Sequence, residues 1–337
     1  MMRNFDEQHY LESGKAVCAK RGEIEAVAKA LNERGYKNIV VTAIGGTWAR
    51  WYAVVHVMQQ YTDMPIYLEN SAELCLSKNR RFLNKDSIVL TASNSGNTKE
   101  ILAVTDLANS LGAEVAAFAE PEGCPLAQKA KHCICLPLNY GEDIYLAFFW
   151  LGLAILYFHG DFPDYPEWAD QMENLHPALL KVKEKFDPQA AAIAREYAKY
   201  PYFIMTSSGI LKEISYWFCT CVLEEMQWIH ARPICAADFF HGTLEVLDKD
   251  TPLLLVKGED EFRPLDERVE NFAKKITDHL IVFDTKEYPL EGIDEKFRVM
   301  CTPYIIATML SDRMEAYLEL NTGHSLNFRR YYRQFDY

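Results

Sequence analysis

Residues 87–98 read Ser87-Ile88-Val89-Leu90-Thr91-Ala92-Ser93-Asn94-Ser95-Gly96-Asn97-Thr98, a short apolar run that breaks abruptly into hydroxyls, amides and one glycine. The run has no polar/apolar alternation, which marks a strand covered on both faces. Lys99-Glu100-Ile101 follows and opens a helical pattern that ends near Gly112. Strand, polar glycine loop, helix is the repeating step of a parallel α/β sheet. The same step recurs on either side of this stretch. Ile39–Ile44 is a buried strand before Gly45-Gly46, Pro65–Glu69 a second strand, and Ser71–Arg80 is helical. Val115–Ala119 and Cys133–Leu136 complete five expected strands in the N-terminal half.

Residues 159–177 concentrate Pro, Asp and Glu and read as a connection with a helix beginning near its end. The pattern then restarts with a strand at Tyr202–Thr206, a turn at Ser207-Ser208-Gly209 and a helix at Lys212–Trp228. Pro252–Val256 and Leu280–Phe283 are further strands, with a helix at Asp266–Thr277 between them. The glycine turns recur at matching separations in the two halves, Gly45 to Gly96 and Gly209 to Gly258, which suggests two copies of one α/β unit. The expected division is 1–158, a connection at 159–186, 187–326, and a tail at 327–337.

The chain has 337 residues, 49% hydrophobic and 25% charged, which suits two globular units with a large core. Asp and Glu number 48 against 35 Lys and Arg, a formal charge of −13 that disfavours nucleic acid as a partner. The longest apolar run, Ile144–Phe158, is 15 residues, short of the ~20 needed to cross a bilayer, and reads as a buried helix. No membrane partner is expected. The N-terminus carries early acids and no apolar core, unlike a secretory signal. The nine cysteines include no CxxC pair, so the expectation is reduced thiols in a cytoplasm, packed in the core, with no metal.

Two stretches carry chemistry. At the Ser93–Thr98 loop, a helix N-terminus offers free amides, Gly96 lets the backbone approach a ligand, and the hydroxyls surround the spot. Those are the parts of a phosphate-monoester site, although Ser, Asn and Thr cap any such helix equally well. Neither GxxxxGK[ST] nor GxGxxG is present, which disfavours a nucleoside triphosphate and a dinucleotide. Gly45-Gly46-Thr47 follows the first strand and faces the same sheet edge. The second half has Lys257-Gly258-Glu259-Asp260 at the matching turn, where two carboxylates would repel an anion. The other stretch, residues 223–247, holds four carboxylates and two histidines among Trp and Phe. A carboxylate there suits proton transfer from carbon, and Glu225 and His241 are the candidates. Glu224 reads as a solvated acid, and His230 as a histidine satisfied at a helix end.

SNSGNT, EMQWIH followed by FFHG, LKEISYWF, ERVENFAKK and the ending Arg329-Arg330-Tyr331-Tyr332…Asp336-Tyr337 together resemble the sugar isomerase (SIS) domain family. The similarity is greatest to bacterial deglycases of 6-phosphorylated Amadori compounds, such as fructoselysine and fructose-asparagine 6-phosphates. It is more distant to the isomerase domain of glucosamine-6-phosphate synthase. The resemblance implies two tandem SIS units with flavodoxin-like sheets flanked by helices, a homodimer or higher homo-oligomer with sites at the subunit interface, and no metal or other cofactor. It assigns the 6-phosphate to Ser93, Asn94, Ser95 and Thr98, the sugar to Gly46, Thr47 and Asp238, proton transfer at C1/C2 to Glu225, and ring opening to His241. Where the family commonly has Gly-Glu, this chain has Ala237-Asp238, one methylene shorter.

The leading expectation is a deglycase releasing glucose 6-phosphate and an amino acid. Glucoselysine 6-phosphate deglycation, phosphosugar isomerisation, aminosugar-phosphate deamination and a non-catalytic phosphosugar sensor are the alternatives. Asp238, Glu259 and Asp260 are available to attract the cationic amine. The aromatic, arginine-rich tail is expected to dock near an active site, the partner's included.

Overall fold

The computed structural model describes residues 2–335, and Asp336 and Tyr337, part of the quoted ending, lie outside them. Among the described residues, nine strands form two wholly parallel sheets. β1 (Asn38–Ala43), β2 (Ile66–Asn70), β3 (Ser87–Ser93), β4 (Glu114–Ala119) and β5 (His132–Cys135) lie in the order β2-β1-β3-β4-β5. β6 (Tyr202–Ser207), β7 (His230–Cys235), β8 (Leu253–Lys257) and β9 (Leu280–Asp284) lie in the order β7-β6-β8-β9. The two orders are the same topology, the second having four strands among the described residues. The chain separates into two compact units, Gln8–Asn174 around the first sheet, and the stretch up to Glu7 together with the described residues from Leu175 onward around the second.

The central strands explain themselves. β1 and β3 are buried at every residue, as β-branched and small side chains on a doubly covered strand must be. β3 pairs with β4 from Ile88 opposite Glu114 to Ser93 opposite Ala119, so the serine that opens the polar loop is still held by the sheet. Gly141–His159, the apolar helix of the sequence, is buried from Gly141 to Leu156. Its Phe148 stacks on Trp51 at 4.1 Å, and its length and composition reflect burial in a core of large side chains.

Three elements differ from expectation. The connection at 159–186 carries an additional helix at Tyr165–Met172, while the helix expected near its end starts at Leu175 and runs to Tyr197. The helix from Lys212 is α-helical only to Trp217, then π-helical over Phe218–Met226, and is followed by β7. His230 therefore opens a strand and is exposed; it is not a satisfied helix-end histidine. β7 was hidden because Arg232 and Pro233 interrupt its apolar pattern, and an edge strand tolerates both.

Candidate functional site

In the first unit, the strand order reverses between the neighbours β1 and β3, and the crevice at their carboxyl edge is where parallel α/β sheets bind ligands. Two helices start there. Gly45–Tyr61 begins at Gly45, at φ +58°, which places Gly46 and Thr47 in its first turn. Lys99–Ser110 begins after Thr98. Between β3 and that helix, Gly96 has φ +63°, and a Cβ on it would stand 2.2 Å from Cys124 Sγ. Only glycine fits. The Ser93 and Thr98 hydroxyls are 2.8 Å apart, and Ser95 Oγ donates to Asn97 Oδ1 at 2.6 Å. Asn94 and Asn97 are exposed, and Ser95 and Thr98 half-buried. The loop thus gathers three hydroxyls at the positive end of a three-turn helix.

The second unit treats the same corner differently. Asp260 accepts hydrogen bonds from the Ile210 N–H at 2.6 Å and the Phe262 N–H at 3.1 Å, and a Cβ on Gly209 would meet its Oδ2 at 2.0 Å. An internal carboxylate takes the amides that an external anion would need. Glu259 is paired with Arg298 at 2.8 Å, both side chains 10% exposed. Neither acid is available to attract an amine, contrary to the expectation from sequence, because both are spent inside the unit; Asp238 is exposed. Asp266 lies beneath this corner, 1% exposed, and burial, with the nearby Asp260 charge adding, pushes its carboxyl up to about 7.

Glu225 sits on the last π-helical turn, half-buried, with its side chain 34% exposed. π-Helical turns are rare and concentrate at functional positions. The chain then reverses sharply. The Gln227, Trp228 and Ile229 N–H groups donate to Val222 O at 3.0 Å, Glu224 O at 3.1 Å and Leu223 O at 2.7 Å. Trp228 adopts φ +56°, a left-handed conformation that costs a bulky residue about 1–3 kcal/mol. Gln227, almost fully buried, fastens the turn to the final helix: its amide donates to His324 O at 2.9 Å and accepts from Thr322 Oγ1 at 2.7 Å. From there the tail folds back over Glu225. Arg329 Nε donates to Glu225 Oε1 at 2.9 Å, and the Arg330 guanidinium lies 4.1 Å from the Trp228 ring centroid. The result is a cavity of about 550 Å³ whose walls include Glu225, Trp228, His230, Arg330 and Tyr331. Glu224 is exposed on the same wall, so it shares the Glu225 cavity.

His241 is elsewhere. β7 pairs with β6 from His230 opposite Tyr202 to Cys235 opposite Ser207. Glu225 precedes the first end of β7, and His241 follows the other, in a tight turn whose N–H bonds to Asp238 O at 2.9 Å. A six-residue strand spans about 17 Å, so one chain holds Glu225 and His241 at opposite edges of its sheet. Spacing of sixteen residues suggested a pair, but a strand lies between them. Gln227, Trp228 and Arg329 went unassigned in the sequence, although EMQWIH and the arginine-rich tail contain them.

No protein-family profile matches the chain. A curated fructosamine deglycase of Bacillus subtilis is 28% identical over 96% of this chain and 99% of its own length. A fructoselysine 6-phosphate deglycase of Escherichia coli is 23% identical over 92% of this chain and 89% of its own. Among solved structures, a Bacillus subtilis protein described as a phosphosugar isomerase superposes with a TM-score of 0.89 and 26% identity, covering 95% of this chain and 99% of that one. The two parallel α/β units have the fold of that phosphosugar isomerase, and similarity of this extent to two enzymes marks the chain as an enzyme.

Proposed function

We propose that this chain, similar from end to end to fructosamine and fructoselysine 6-phosphate deglycases, cleaves a fructosyl amino acid 6-phosphate to glucose 6-phosphate and the free amino acid. The observation that carries the reading is Glu225, a carboxylate held by an arginine on the wall of an open cavity beside aromatic rings. Ser93, Asn94, Ser95 and Thr98 hold the phosphate as a handle, and Gly46, Thr47 and Asp238 meet the sugar. With the ring open, Glu225 removes a proton from C1 to give an enaminol, and a proton returned to C2 leaves an imine at C1. Water adds to that imine, the amine departs, and C1 becomes the aldehyde of glucose 6-phosphate. Each step moves a proton or adds water, so positioned acids and bases suffice.

His241 serves the oxygens during ring opening. Because β7 separates it from Glu225 in one chain, the reading draws His241 from a second copy and makes the enzyme a homodimer or larger homo-oligomer working on phosphorylated metabolites in the cytoplasm. The test is glucose 6-phosphate release from a panel of 6-phosphorylated glycated amino acids, with fructose 6-phosphate and glucosamine 6-phosphate alongside. Release from a glycated compound with both controls silent is the expected result. Turnover of a control alone replaces deglycation by isomerisation or deamination, and binding without any turnover replaces it by phosphosugar sensing.

A further inference from the structure

The two arginines over the Glu225 cavity are used differently. Arg329 is spent: its Nε is on Glu225, and its Nη1 donates to Leu326 O at 2.7 Å and Phe328 O at 2.9 Å. Arg330 meets the Trp228 ring at 4.1 Å and the Tyr331 ring at 5.9 Å. Among the described residues no carboxylate or carbonyl oxygen meets its guanidinium. A guanidinium held against an indole face keeps its N–H donors along the edge, arranged as a fork that matches a carboxylate.

The platform beneath it is costly to hold. Trp228 keeps a strained φ of +56° although the residue is 41% exposed and contributes little to the core. It is braced by His324, with ring centroids 4.3 Å apart, and its neighbour Gln227 is tied to the same helix end. Strain retained at an exposed residue marks a surface shaped for a ligand.

We propose that Arg330 is the specificity residue that binds the carboxylate of the substrate's amino-acid part, so that the substrates are fructosyl amino acids carrying a free carboxylate. This rests on the deglycase reading. If Glu225 works at C1, the group bonded to C1 is the amine nitrogen, and the amino acid extends from it into the cavity that Glu225 shares with Arg330. The phosphate, at the far end of the hexose, is not the anion that this arginine meets. Tyr331 and Tyr332 flank the amino-acid side chain.

The experiment compares kcat/KM for glucose 6-phosphate release from a 6-phosphofructosyl amino acid and from its carboxamide, using the wild type, Arg330→Gln and Arg330→Lys. Wild type is expected to favour the acid roughly 30-fold, the value of one charged hydrogen-bonded contact. Arg330→Gln should lose that preference through KM for the acid and leave the carboxamide unchanged, and Arg330→Lys should recover part of it. Equal use of acid and carboxamide by the wild type overturns the inference and leaves deglycation standing. So does an equal loss on both compounds in Arg330→Gln, which would make the residue a mere support for Trp228. Absence of release from either compound by the wild type removes the deglycase reading and this inference with it.

Discussion

Arg329 Nε reaches Glu225 Oε1 at 2.9 Å across 104 residues of sequence, so the chain's C-terminal tail sets the orientation of the carboxylate assigned to proton transfer. With side chains 19% and 34% exposed, the pair contributes at most about 1 kcal/mol to stability. Its value is positional. Arg329→Ala should therefore lower kcat by about 10-fold to 100-fold while shifting Tm by no more than about 2–4 °C. Steady-state kinetics set beside thermal melts check this, and an unchanged kcat would remove Arg329 from the machinery.

Removing residues 330–337 leaves Arg329 in place but takes away Arg330, Tyr331 and Tyr332. Every described residue in that stretch is exposed, so the truncated protein should melt within a few degrees of the full chain. Its kcat/KM for a glycated substrate should fall at least tenfold. A melt that collapses with activity would make the tail structural.

Glu225 and His241 flank opposite ends of β7, so a site using both takes them from two chains. Glu225→Gln and His241→Asn homodimers should each be nearly inactive. Refolded together in equal amounts, they should recover about a quarter of wild-type activity, since about half of the dimers are mixed and each mixed dimer keeps one intact site. No recovery on mixing, with heterodimers demonstrated, would be fatal to the shared site.

Gly96→Ala puts a methyl into Cys124 and asks alanine to hold φ +63°. The loop must shift, and the apparent Kd for glucose 6-phosphate should rise at least tenfold, with roughly 1–3 kcal/mol of stability lost. Adding Cys124→Gly should return part of the stability, because the collision is removed and only the backbone cost remains. Calorimetric titration and denaturant melts of the two single variants and the double variant measure both quantities.

Asp266 is buried with its carboxyl raised to about 7, against an ordinary value near 4 in the unfolded chain. The native state holds this proton longer than the unfolded state, so the group costs nothing below the unfolded value. It costs progressively more as pH rises from about 4 to about 7, and the full amount above that. Asp266→Asn removes the charge and should raise Tm relative to wild type more at pH 8 than at pH 5. Melts at the two pH values decide it; a gain that is equal at both would mean the carboxyl is not the titrating group.

The two parallel sheets were legible because their strands announce themselves. NIVVTA and SIVLTAS are apolar without alternation, and each breaks into a glycine loop. β7 was not legible, since HARPIC has the composition of a loop and becomes a strand only because β6 offers it one free edge. The π-helical turn under Glu225 has no marker in FCTCVLEEM, which reads as ordinary helix. Cys124 beneath Gly96 and Asp260 over Gly209 are likewise contacts between loops on separate strands.

What recurs locally could be read from the residues: two α/β units, one loop fit for an anion, and an acid–base stretch with a tail rich in arginine and tyrosine. Local hydrogen bonding and the period of apolar residues govern those features, and both act over a few neighbours. Which side chains meet was a matter for the folded chain. It brought Arg329 and Arg330 onto Glu225 and Trp228, filled the second anion corner with Asp260, and set Glu225 apart from His241. Those outcomes depend on strand order and on where each loop leaves its sheet, which the packing of the whole unit settles.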